Sequence, residues 1–168
     1  MRNEITEVDI KKIKEELAHR KNVLAPELHA EVKRTREYGD LSENDEYRTA
    51  KRERNRNESR IRYLENLLLT ATVVDTSRRT RNGIALFDIV EYENEATGAI
   101  KRIQLVTALR QDALRGFISK ESPVGRALMG KTVGDRVLIE TGTGNRYYIT
   151  VKSVEAGKDN EDLPISSY

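Results

Sequence analysis

Tyr47, Ala50, Arg54, Asn57, Ile61, Leu64 and Leu68 follow one another at alternating three- and four-residue steps without a fault. That spacing is an a/d seam: it places one stripe along a helix, and the stripe must be covered by another helix. A candidate partner precedes it. Ile10, Ile13, Leu17, Leu24, Leu28 and Val32 recur mostly at three-, four- and seven-residue steps, behind a capping-box spacing in which Thr6 caps the first turn and Asp9 reaches back. Pro26 interrupts this first helix and is expected to bend or restart it, because it lacks a backbone donor and clashes with the preceding turn. With only YGDLSEN between the two seams, the segments are predicted to fold back as an antiparallel hairpin, roughly 40 to 45 Å long at 1.5 Å per residue. Toward the connection the second seam turns polar at Arg54 and Asn57, so that end is expected to be less stable; Asn57 can alternatively serve to select register.

Composition changes near residue 75. Before it Lys, Arg, Glu, Leu and Ala dominate; after it come Val, Ile, Tyr, Thr and most of the glycines. The expected class is α+β, with an N-terminal antiparallel α-helical coiled-coil hairpin over 1–75 and a β-rich C-terminal domain over 76–156, joined around TSRRTRNG at 76–83. Within the second part, IALFDIVEYENEATGAIKRIQLV reads as two strands with a turn near Ala96 to Gly98, and RVLIETGTGNRYYITVKSV as another pair around Gly142 to Asn145. SPVGRALMG between them reads as a short helix with Ser122 as cap, Pro123 in the first turn and Gly130 as stop. The polar tail at 157–168 is expected to be disordered.

The chain has 30 Lys+Arg against 28 Asp+Glu and no Cys, so disulfides and thiolate metal sites are excluded, and any nucleic-acid contact must come from local clusters. No apolar run approaches the length of a signal peptide core or a membrane span, so a cytoplasmic protein with no membrane partner is expected. Against this near-neutral background the connection is acidic: Asp40, Glu43, Asp45 and Glu46 crowd into seven positions at the predicted tip, 39–47. Two readings stand. Asp40 with Glu43, and Ser42 with Asp45, have spacings compatible with helix capping, and acids suit a helix N-terminus. A cap needs only one or two carboxylates, however, and the surplus suits Mg²⁺, a hard cation that accepts one or two carboxylates and fills its shell with water and phosphate oxygens.

The segment VKRTREYGDLSENDEYRTAK at 32–51 resembles the tip signature of the bacterial Gre transcript-cleavage factors. Further matches are collinear: EEL at 15–17, APEL at 25–28, LENLLLTATVVD at 64–75 and SPVGRALMGKTVGD at 122–135. The resemblance implies a hairpin that enters the secondary channel of bacterial RNA polymerase and an FKBP-like domain that docks outside it, with Ser122 and Pro123 near the docking face. It implies that Asp40 and Glu43 are the catalytic and metal-holding pair, sharing a Mg²⁺ with the polymerase for hydrolysis of backtracked RNA. The protein would then stimulate the polymerase's own cleavage without being an enzyme. A monomer is expected, with the polymerase and the nascent RNA 3′ segment as partners. An inhibitory relative that enters the same channel without cleavage is the alternative.

Lys51, Arg52, Arg54, Arg56 and Arg60 flank the tip. Of these, Lys51, Arg52 and Arg56 are the candidates for RNA phosphate contact, a patch that the resemblance also implies. Glu53 and Glu58 are interspersed, so a mixed-charge solvated face is the competing reading. His19 and His29 lack a partner ligand nearby in sequence and read as surface or interface residues. Departures from the family pattern are Thr35, where Ala is usual, Asp45, where Ala is frequent, and RQDA at 110–113, where EAD is common. Two further classes compete: a prolyl isomerase by fold analogy, and a coiled coil that binds free RNA or DNA through its Arg run.

Overall fold

The structure, a computed structural model, describes residues 3–39, 43–76 and 82–166. The chain forms two compact units. Among the described residues one comprises Asn3 and Ile10–Ala71; the other joins Glu4–Asp9 to the chain from Thr72 onward. Most of the linker expected at 76–83 lies outside the described residues.

In the first unit, α1 (Glu7–His19) runs into a π-helical turn, Arg20–Leu24, then α2 (Ala25–Arg36); α3 (Asp45–Thr70) returns. The return is antiparallel, since cross-helix partners pair Glu16 with Arg60, Arg20 with Asn57 and Thr35 with Asn44, one number falling as the other rises. Pro26 restarts the helix, standing in the first turn of α2 where its missing N–H is no loss. The π turn just before it moves the backbone bond of Ala25 to the carbonyl of Arg20.

That carbonyl also accepts the Asn57 Nδ2 at 3.3 Å, while Arg20 Nη1 donates to Asn57 Oδ1 at 3.0 Å. Both ends of the buried Asn57 amide are thus read by one residue of the opposite strand of the hairpin, a contact that specifies register. Arg60 is buried too, and its guanidinium grips both oxygens of Glu16 at 2.9 and 3.2 Å. The seam prediction assigned Ile61 and Leu68 to the core; instead Arg60, Leu64 and Leu67 are the more deeply buried, with Ile61 and Leu68 at the margin. A straight helix drifts relative to a 3.5-residue repeat, which moves the stripe by one position over this length.

In the second unit, Thr6 and Asp9 form the expected reciprocal cap of α1, Asp9 Oδ2 accepting from Thr6 N at 3.0 Å and Thr6 Oγ1 from Asp9 N at 3.2 Å. Beside it, β1 (Glu4–Ile5) pairs in parallel with β2 (Thr72–Val73). The main sheet contains β3 (Ile89–Asn94), β4 (Ile100–Val106), β5 (Phe117–Ser119), β6 (Arg136–Glu140) and β7 (Arg146–Glu155), in the order β5-β4-β3-β7-β6. Both predicted hairpins are present, β3 with β4 and β6 with β7; the parallel β4–β5 pair closes the order. Val90, Leu105, Ile139, Ile149 and Val151 alternate onto one face and bury against Leu128 of α4 (Pro123–Leu128).

The tail differs from its expectation of disorder through residue 166. Leu163 is buried with Phe87 and Val106, and Ser166 N donates to the Leu109 carbonyl at 2.8 Å. An apolar anchor and a charged partner for Arg110 offset the ordering entropy that composition alone could not. Gly157 is required on this route: a Cβ there would sit 1.8 Å from the Phe87 carbonyl oxygen.

Candidate functional site

The acidic connection lies between the last turn of α2 and the first turn of α3. Asp40 and Ser42 lie outside the described residues; Glu43, Asn44, Asp45 and Glu46 are described. The helix cap is Asn44, whose Oδ1 accepts from Tyr47 N at 3.0 Å. Glu43 therefore precedes the cap and takes no part in it. Asp45 and Glu46 occupy the first turn of α3, where the helix dipole favours a carboxylate.

Charge partners separate these acids further. Asp45 stands 3.6 Å from Arg48, and Glu46 stands 3.7 Å from Arg34, which also grips Glu31 and stacks over the Tyr38 ring. The hydrogen bonds from Arg34 hold the Glu31 carboxyl below its ordinary range. Glu43 is exposed, and no hydrogen bond or ion pair joins its carboxylate to another described residue. It lines an open cleft with Arg34, Tyr38 and Asn44. A solvent-facing carboxylate with no ion-pair partner among the described residues is chemically suited to a hard cation. Among the described residues no group of three or more His, Cys, Asp or Glu side chains is placed to hold a metal ion. From these residues, then, Glu43 offers a single ligand.

Two family models divide the chain between them: "Transcription elongation factor, N-terminal" matches residues 3–73, and "Transcription elongation factor, GreA/GreB, C-term" matches residues 80–156. The chain belongs to the GreA/GreB family. It is 41% identical over 140 residues to transcription elongation factor GreA of Thermosipho melanesiensis, covering 83% of this chain and 88% of that one. To GreA of Streptococcus thermophilus it is 37% identical over 151 residues, covering 90% and 94%. Among solved structures it is similar to GreA factor homolog 1 of Thermus thermophilus, at 25% identity and a TM-score of 0.43, over 93% of this chain and 100% of that one.

In this GreA/GreB-family chain the basic flank is split by the helix. Arg52 and Arg56, four residues apart, share an exposed face of α3 with Arg48. Lys51 is exposed beside them; Lys51 and Arg52 have no ion-pair partner among the described residues, while Arg56 stands 4.0 Å from Glu53. Arg54 turns toward Glu58 and Asn55, and Arg60 leaves the flank altogether for the seam. His29 stands 3.6 Å from Glu58 on the surface, and His19 is exposed.

Ser122 caps α4, its Oγ accepting from Gly125 N at 3.0 Å, and Pro123 is exposed in the first turn. Gly125 follows because a Cβ there would lie 2.1 Å from the Ser119 carbonyl oxygen, so α4 packs directly on the chain leading into it. The structural role of Ser122 is clear; the exposed Pro123 remains available to a partner.

The spacing of residues 40–46 did not single out Asn44. The signal was present: Asn immediately before the first helical residue is a favoured cap, but the four neighbouring carboxylates offered competing spacings.

Proposed function

We propose that this protein is an elongation factor that stimulates RNA polymerase to cleave backtracked RNA, delivering the hairpin connection into the polymerase's secondary channel. The observation that carries this reading is Glu43: it lies within the GDLSEN signature, outside the helix cap, exposed and with no ion-pair partner among the described residues. A carboxylate that pairs with no described residue of its own chain can serve a site supplied by another.

The chain's residues then have separable tasks. Glu43 and Asp40 each contribute carboxylate oxygens to a Mg²⁺ shared with the polymerase. Such an ion supplies activation of water and neutralisation of developing charge at a phosphodiester. Arg52 and Arg56, with Lys51 beside them, neutralise phosphates of the extruded RNA 3′ segment and position the strand without reading its bases. The second unit, through the α4 start at Ser122 and Pro123, docks the protein on the polymerase and raises the effective concentration of the tip.

The test uses stalled, backtracked elongation complexes with labelled RNA. The full-length protein is expected to shorten the transcript and leave a 3′ end that can be extended. Asp40→Asn and Glu43→Gln should each abolish most of this while polymerase binding persists, and added Mg²⁺ should partly restore it. Binding with slowed transcript extension and no shortening would replace this reading with that of a channel inhibitor.

A further inference from the structure

We propose that Asn44 is a positioning residue for this cleavage activity: its amide ties the two helix ends together and thereby fixes where Glu43 stands. The inference rests on the reading of the tip given above. Asn44 Oδ1 accepts from Tyr47 N at 3.0 Å, and Nδ2 donates across the hairpin to the Thr35 carbonyl at 2.8 Å. One planar amide thus joins the final turn of α2 to the first turn of α3.

Capping alone does not select Asn here. Ser and Asp cap about as well, and both would be accepted on that ground. Only Asn combines the acceptor with a donor: Asp carries acceptors alone at neutral pH, and the Ser hydroxyl is shorter than the amide arm. The acceptor side is equally committed. Thr35 is fully buried, and its hydroxyl donates to the Glu31 carbonyl at 2.9 Å with the Val32 carbonyl at 3.2 Å, which holds this turn against the helix. Its own carbonyl receives Tyr38 N at 3.4 Å as well as the shorter bond from Asn44.

Glu43 is the residue next to this tie. Without the tie, the last turn of α2 would keep its own backbone bonds, Glu37 N to the Arg34 carbonyl and Tyr38 N to the Thr35 carbonyl, but would lose the side-chain bond that joins it to the start of α3. With it, the backbone leaving Glu43 is anchored to both. Small misplacements of a reacting group are costly, about 100-fold in rate for an ångström, so the tie matters to the maximal rate more than to binding.

The experiment is Asn44→Ser, with Asn44→Thr as a second variant, in full-length protein. Both keep a capping oxygen and lose the donor to Thr35. Stimulated cleavage is measured against factor concentration, with Glu43→Gln in parallel and amide hydrogen exchange at residues 38–44 recorded for each free protein. The expected result is a maximal rate reduced about 10-fold or more, an unchanged half-saturating concentration, unchanged melting temperature and faster exchange at the connection. A wild-type maximal rate in either variant, whether or not exchange is faster, overturns the positioning role if Glu43→Gln is inactive. A shift in half-saturation alone overturns it too, because it assigns Asn44 to binding. Normal cleavage by Glu43→Gln would instead overturn the reading of the tip itself.

Discussion

The two units solve the problem of cohesion in opposite ways. The second unit buries a continuous apolar core in which Val90, Leu105, Leu128, Ile139 and Ile149 are all fully enclosed. The hairpin encloses Ile13 and Leu64 completely, but its seam also carries Asn57 and the Arg60–Glu16 pair, and toward the connection Leu24, Leu28 and Val32 are only half-buried. Apolar burial is cheap and unspecific; a buried amide or ion pair adds little net energy but is satisfied in one register alone. The hairpin therefore trades cohesion for alignment.

The largest effect that would test this contrast lies in the second unit, at its buried arginine. Arg110 is 1% exposed, with Nε 2.7 Å from Asp9 Oδ1, a second ion pair to Asp159, and Nη1 donating to the Asn160 carbonyl at 3.0 Å. Arg110→Met should cost about 3–5 kcal/mol, because it strands two carboxylates. Urea unfolding followed by near-ultraviolet signals from the tyrosines of the β-sheet is the measurement. Adding Asp9→Asn and Asp159→Asn should recover part of the loss. If Arg110→Met alone is neutral, the tail and the Glu4–Asp9 segment are not held by this cluster.

Next in size is a pair of truncations. Leu128→Ala should cost about 2–5 kcal/mol and Leu68→Ala less than about half of that, since Leu68 is already partly in water. Equal costs would remove the contrast in packing between the units. Asn57→Ala should cost about 1 kcal/mol, because the Arg20 carbonyl retains its bond from Ala25. Its larger consequence should be loss of unique register, visible as doubled amide resonances along α3.

The smallest effect is set by pH. Burial works against ionisation of Glu16, but hydrogen bonds from Arg60 and Arg20 outweigh it, and the carboxyl titrates below its ordinary value. The folded value being the lower one, its contribution is fully present above the ordinary carboxylate range, near about 4.3, and fades as pH falls through the lowered value. Hairpin stability should thus decline on the acid side. Glu16→Gln should flatten that decline, measured as the denaturation midpoint by circular dichroism from neutral to acid pH.

Local signals carried much of this in advance. The Thr6–Asp9 box, the restart at Pro26, the two β-hairpins and the Ser122 cap are relations among residues within one or two turns, and short-range hydrogen-bonding chemistry is enough to read them. The acidic stretch at 40–46 was legible as a charge cluster, with helix capping and cation binding both open; Asn44 takes the cap.

What the sequence alone determined is the pair of periodicities, helical before residue 75 and alternating after it, and the family signature at the connection. Arg60 could be counted among the flanking cations because nothing in its neighbourhood says which way it points. Glu16, 44 positions away, decides that. Arg110 stood out only as a departure from the family pattern. Its partners are Asp9 and Asp159, at opposite ends of the chain, so its role could not be read from any window. The tail looked unable to order itself, and by itself it could not. Its order comes from Phe87, Val106 and Arg110, groups distant from it along the chain that the fold places beside it. Tertiary structure decided these points for one physical reason: burial and charge pairing act over distance in space, whereas propensity and capping act over distance along the chain.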